Sequence, residues 1–285
     1  MKKAIALVLA LLALSCTAVR EVPERPSPEG PVAALHDGDA SEAERYIKAY
    51  PDFFTSFEDG CLVTRDGRRI PFDDGREKDL VTLVADGRAG DDAFDPEDAL
   101  HWPYPAGSPL PTPSSPPVGD PGRIRPSAVF RPIYGSTPGE RAGRLRSIAW
   151  VSGKDGTPRR VKVTTVNGVD KALERVVREI EALPEERKRE LDGVALNTDG
   201  PYGHFERPVR GFPGRTSGHA YGIAVDINGN LEYFWATHRG KPYSYRNNVP
   251  AFLVEIFERN GFIWGGRWHS FDAMHFEYRP ELLLR

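Results

Sequence analysis

Apolar residues recur in the C-terminal half of the chain with two different periods. Arg160-Val161-Lys162-Val163-Thr164-Thr165-Val166 alternates and is β-branched, which predicts a strand. Asn167-Gly168 then turns the chain into a stretch where Leu173, Val176, Val177, Ile180 and Leu183 repeat at helical spacing, until Pro184 ends the helix. Val194-Ala195-Leu196-Asn197 and Ile223-Ala224-Val225-Asp226-Ile227 read as core strands. Residues 250–260 form a second amphipathic helix with Gly261 at its C′ position, and His275-Phe276-Glu277-Tyr278 is the last strand. This mixture predicts an α+β domain.

The N-terminal half is patterned differently. Ala43, Tyr46 and Ile47 mark a helix. Cys61-Leu62-Val63 and Arg69-Ile70-Pro71-Phe72, joined by Arg65-Asp66-Gly67, mark a hairpin. Residues 41–102 form an accessory region without an assigned role. Residues 103–126 contain nine prolines. Such a segment is either an inter-domain linker or an extended wrap over a surface, and the pattern allows both. Residues 127–285 form the main domain.

Met1-Lys2-Lys3 followed by the apolar run Ala4–Leu14 is a signal segment too short to span a bilayer. The adjoining Ala13-Leu14-Ser15-Cys16 resembles the lipobox of bacterial lipoproteins, although the family usually has leucine where Ala13 stands. The resemblance implies a signal peptide over residues 1–15, a lipid on Cys16 that holds the protein to a membrane, and, from Thr17, an outer-membrane lipoprotein facing the periplasm. Pro23, Pro26, Pro28 and Pro31 make residues 16–40 a flexible tether. With Cys16 acylated only Cys61 remains of the two cysteines, so no intrachain disulfide can form, and Cys61 reads as a buried structural thiol. A net charge of -3 carries no electrostatic footprint for nucleic acid.

The candidate chemistry lies in His219, Asp226 and His275: two imidazoles and a carboxylate able to ligate a metal, with Asp272 three residues before the last histidine. Zinc hydrolases need this inventory of three protein ligands, an open position for water, and a base. The offset from His219 to Asp226 is odd, so one continuous strand would point them to opposite faces. Gly222 lets His219 lie on a preceding loop while Asp226 projects from the strand. With seven histidines in the chain, spacing alone does not separate a metal set from core histidines.

The wider pattern does. Ser217-x-His219-x-x-Gly222-x-Ala224-x-Asp226, then Trp264-Gly265-Gly266-x-Trp268 and Asp272-x-Met274-His275-Phe276-Glu277, with Arg207-Pro208-Val209-Arg210-Gly211 upstream, closely resembles the D-alanyl-D-alanine carboxypeptidase/L-alanyl-D-glutamate endopeptidase family of zinc peptidases. The resemblance covers residues 160–280. It implies the hedgehog/D-Ala-D-Ala peptidase fold, a small antiparallel sheet flanked by helices. It further implies Zn2+ held by His219, Asp226 and His275, Asp272 as catalytic acid/base, and Arg207 polarising the scissile carbonyl. Arg210 and Arg215 are alternatives to Arg207, because the gap to Ser217 is longer than the family pattern. The expected substrates are peptidoglycan stem peptides. The Asp272 and Trp-Gly-Gly blocks resemble the endopeptidase branch. A carboxypeptidase and a non-catalytic zinc-containing cell-wall-binding lipoprotein are the competing readings. Ser217 is expected to support the His219 loop, His269 to form the pocket rim, and Glu277 to be structural.

Overall fold

In the computed structural model, residues 39–284 are described apart from 87–88, 152–158, 196–200, 207, 210–211, 229, 231–232 and 239–243. The signal segment, Cys16, most of the tether and Arg207 therefore lie outside the described residues. Helix α1 (Asp39–Ala49) buries Ala43 and Tyr46 and leads into an antiparallel meander, β1 (Phe54–Glu58), β2 (Cys61–Thr64) and β3 (Arg69–Pro71). Helix α2 (Leu80–Asp86) follows. After the proline-rich segment come α3 (Ser127–Tyr134) and α4 (Pro138–Ala142). Cys61 is a buried thiol at the start of β2.

The alternating segment forms β5 (Arg159–Thr164), paired antiparallel with β4 (Leu145–Trp150) so that Ile148 faces Val161. Helix α5 (Val169–Glu181) buries Leu173, Val176, Val177 and Ile180, as its spacing requires. A short helix α6 (Glu185–Arg189) comes next. Val194 and Ala195, read as the start of a core strand, instead occupy a turn after α6. Both are buried there, and a short apolar run fits a packed turn as well as a strand. Leu196 and Asn197 lie outside the described residues.

The remaining elements are β6 (Pro208–Val209), β7 (Phe212–Thr216), α7 (Gly218–Tyr221), β8 (Ala224–Asp226), α8 (Ala251–Arg259), β9 (Phe262–Trp264) and β10 (His275–Tyr278). The last strand is central in an antiparallel sheet of order β8-β10-β9. Phe276 on β10 stacks on Phe257 of α8 at 3.8 Å between ring centroids, so the helix covers the sheet face opposite the candidate site. Truncating such a buried ring costs about 3–5 kcal/mol.

The N-terminal helix and the C-terminus share this core. The Tyr50 hydroxyl donates to Glu281 Oε2 at 2.6 Å, and Arg45 Nε donates to the Glu281 carbonyl at 2.9 Å. The proline-rich segment lies against the domain as an arm. Arg267 donates to the carbonyls of Ser108 and Pro109, and Arg279 to those of Gly122 and Ile124. Glu258 accepts from the Tyr104 hydroxyl and the Gly107 amide. Proline brings no N–H that needs an acceptor, so two buried arginines and one glutamate suffice to fix much of the arm's backbone.

Candidate metal centre

Ser217 caps the single turn α7, its Oγ accepting from the Ala220 amide at 3.1 Å. Gly222 ends that turn at φ 73°, a left-handed conformation suited to glycine. His219 thus projects from a helical turn rather than from a loop. The reversal at Gly222 feeds β8, where Asp226 stands directly opposite His275 of β10. Gly218 is needed for a different reason. A Cβ there would come within 2.5 Å of Glu277 Oε2 and 3.1 Å of the Ala224 side chain.

Three atoms converge. His219 Nε2 lies 3.1 Å from Asp226 Oδ1 and 3.1 Å from His275 Nδ1, and His275 Nδ1 lies 3.0 Å from Asp226 Oδ1. Each histidine uses its other nitrogen elsewhere. His219 Nδ1 is 2.8 Å from the Gly203 carbonyl, and His275 Nε2 is 3.1 Å from Glu277 Oε2. Both of those partners can only accept, which assigns the ring protons to Nδ1 of His219 and Nε2 of His275. Two lone pairs and a carboxylate oxygen are then left facing one another. Bare, that arrangement repels, and a cation at its centre resolves it. Atoms about 2.0–2.1 Å from one ion would stand near this spacing. The donor set therefore fits zinc, with each imidazole oriented by an acceptor behind it.

The carboxylate of the cluster is held as the anion: burial would raise the Asp226 carboxyl, but positive charge on His219 and His275, where a metal cation would otherwise stand, holds it well below the usual range. Burial likewise opposes the charged form of Glu277, yet Arg125, His275 and Arg279 keep it ionised. Arg125 donates to Glu277 through Nε at 2.7 Å and also through Nη2. Glu277, expected to be structural, thus stands directly behind a candidate ligand. Phe205 stacks on the His219 ring at 4.3 Å.

Asp272 precedes β10. Its amide donates to the Gly265 carbonyl and its own carbonyl accepts from the His275 amide at 3.0 Å, which places it against the cluster. Burial, reinforced by the Asp226 charge, raises its carboxyl despite His275 and Arg123. A carboxyl held there against the cluster can exchange a proton with a group bound at it.

Of the two alternatives to Arg207, Arg210 lies outside the described residues and Arg215 is held at the foot of β7. The Arg215 guanidinium donates to the carbonyls of Ala89 and Leu83 and packs on Phe94. His269 is exposed and stands outside the ligand set. Trp264, Trp268, Phe271 and Tyr221 are all buried.

Sequence reasoning missed Arg123 and Arg125. Both sit on the arm, where Asp120, Arg123 and Arg125 are the charged residues between positions 103 and 126. That isolation among prolines was the available signal. Arg123 lies with its guanidinium 4.2 Å from the centroid of the Trp268 ring and donates from Nη2 to the Ser270 carbonyl at 2.6 Å. The Trp268 ring is in turn 5.4 Å from that of His275.

Residues 211–278 match the family model described as D-alanyl-D-alanine carboxypeptidase. The match spans α7, the sheet β8-β10-β9 and all three converging residues, and supports a peptidase domain acting on cell-wall peptides. The comparisons with curated proteins and with solved structures gave no match.

Proposed function

We propose that this chain is a zinc peptidase that hydrolyses peptidoglycan stem peptides, most naturally at the L-alanyl-D-glutamate bond. The observation that carries the reading is the convergence of His219 Nε2, Asp226 Oδ1 and His275 Nδ1 within 3.1 Å, with both imidazoles oriented by acceptors behind them. Zinc bound there would act as a Lewis acid and lower the pKa of a water from 15.7 to about 7.

The chain's own residues then divide the work. Asp272, whose backbone lies against the cluster, accepts the proton of the attacking water. As the carbon–nitrogen bond breaks, the same carboxyl returns the proton to the leaving amine. Glu277 keeps the His275 ring in the ligating tautomer, and Gly203 does so for His219. Arg207 retains the role of polarising the carbonyl. The signal segment and Cys16 would deliver the domain, by a lipid anchor, to the periplasmic face of the outer membrane, where the substrate lies.

A carboxypeptidase removing terminal D-alanine is the second reading, favoured by the description of the matching family. Digestion of purified muropeptides with analysis of product masses separates the two. Release of a stem fragment is expected. Loss of one terminal alanine would reject the endopeptidase in favour of the carboxypeptidase. Equal binding of peptidoglycan by the wild type and Asp272→Ala, with cleavage by neither, would reject both and leave a binding protein.

A further inference from the structure

Arg123 is a cation that the fold holds beside the candidate centre, over the Trp268 ring that neighbours His275. Burial lowers its pKa, Asp272 and Asp120 act on it through space, and no carboxylate among the described residues forms an ion pair with it. Its Nε is shielded from solvent and has no hydrogen-bond partner among the described residues, while Nη2 is committed to the Ser270 carbonyl. The guanidinium is held over the Trp268 ring, 4.2 Å from its centroid. The neighbouring Arg125 has the opposite arrangement, with a bidentate carboxylate in Glu277. A buried donor on a permanent cation is costly unless something accepts from it. The natural complement is a carboxylate, which guanidinium binds through paired N–H groups.

The two candidate substrates share such a group. In an L-alanyl-D-glutamate bond of a γ-linked stem, the D-glutamate nitrogen belongs to the scissile amide and its α-carboxylate is free. In a terminal D-alanyl-D-alanine, the last residue likewise has its α-carboxylate on the carbon next to the scissile nitrogen. Both bonds therefore carry an anion at the same place on the leaving side. Asp272, which returns the proton to that nitrogen in the scheme above, is the first of the charged groups that act on Arg123.

We propose that Arg123, carried by the proline-rich arm, binds the free α-carboxylate of the residue on the leaving side of the scissile bond and makes this carboxylate a specificity requirement. The proposal rests on the peptidase reading but is tested separately from it. Arg123 touches the substrate in this scheme and does not take part in proton transfer.

The test uses the full zinc-loaded chain and two stem peptides that differ in one group, D-glutamate with a free α-carboxylate and its α-carboxamide. For the wild type, kcat/KM is expected to fall about 10–100-fold on the amide, mainly through KM, as for loss of a charge-assisted hydrogen bond. Arg123→Gln is expected to cleave both peptides at the slow rate. Arg123→Lys, which keeps charge but loses the fork, is expected to lose about tenfold on the carboxylate peptide alone. Equal cleavage of both peptides by the wild type at the L-alanyl-D-glutamate bond overturns the proposal and leaves the peptidase standing. So does a variant that loses kcat equally on both peptides, which would place Arg123 at the oxyanion or in the fold. If the wild type cleaves neither peptide, the peptidase reading fails. Calorimetric binding of the two peptides to the wild type then decides for Arg123: preference for the carboxylate supports the anchor, and equal affinity overturns it.

Discussion

Glu277→Gln is the sharpest perturbation of the centre that leaves every candidate ligand in place. Glu277 is fully buried, with His275 Nε2 at 3.1 Å on one side and Arg125 Nε at 2.7 Å on the other. Arg279 Nη1 is 3.4 Å from its second oxygen. Glutamine keeps the volume but removes the charge, and its amide N–H can face the imidazole where only an acceptor serves. Arg279 would still have Glu281 as partner, whereas Arg125 would lose its carboxylate. Stranding a buried charge costs about 3–5 kcal/mol, to be read from chemical denaturation. Releasing the His275 ring from its orienting carboxylate should weaken zinc about 10–100-fold, to be read by competition with a chromophoric chelator on the folded variant. Undiminished zinc affinity in a natively folded Glu277→Gln would refute the claim that this carboxylate sets the tautomer of His275.

Other perturbations test neighbouring parts of the account. Gly218→Ala should weaken zinc binding and lower the melting temperature, because its methyl would meet Glu277 Oε2 at 2.5 Å; near-wild-type values in both assays would argue against that close approach. Asp272→Asn should abolish cleavage while zinc content, measured by elemental analysis, stays that of the wild type; loss of the metal instead would make Asp272 a ligand rather than a base. Burial, with Asp95 and Asp98 nearby, raises the Glu97 carboxyl to about 7. The folded state thus binds a proton more tightly than the unfolded chain, and stability attributable to Glu97 is present below its unfolded pKa and lost as pH rises through about 7. Glu97→Gln should therefore raise the melting temperature at alkaline pH and change it less in acid, and a gain confined to acid pH would have the wrong sign.

What could be read in the chain was whatever is local. Val169–Glu181 is a helix because its apolar stripe is self-contained, and along β10 the aromatic Phe276 and Tyr278 alternate with His275 and Glu277. His219 and Asp226 come together through Gly222, three residues after the first and four before the second, so their approach was visible in the spacing. What remained hidden depends on tertiary pairing. Val194 and Ala195 are apolar and buried, and nothing in their run distinguishes a packed turn from a strand. Arg125 lies 152 residues from Glu277, and no periodicity links two such positions. The arm's prolines marked it as extended, but its docking rests on Glu258, Arg267 and Arg279, whose partners are largely backbone carbonyls and amides that have no signature in sequence.

The central claim is that His219, Asp226 and His275 hold one zinc that the peptidase reaction requires. It is tested most directly by stripping the purified chain of metal and titrating zinc back while following muropeptide cleavage by product mass. Cleavage should be absent at the start, rise with zinc, and reach its plateau at one zinc per chain. Undiminished cleavage by the metal-free chain, or no cleavage at any zinc level, would contradict it.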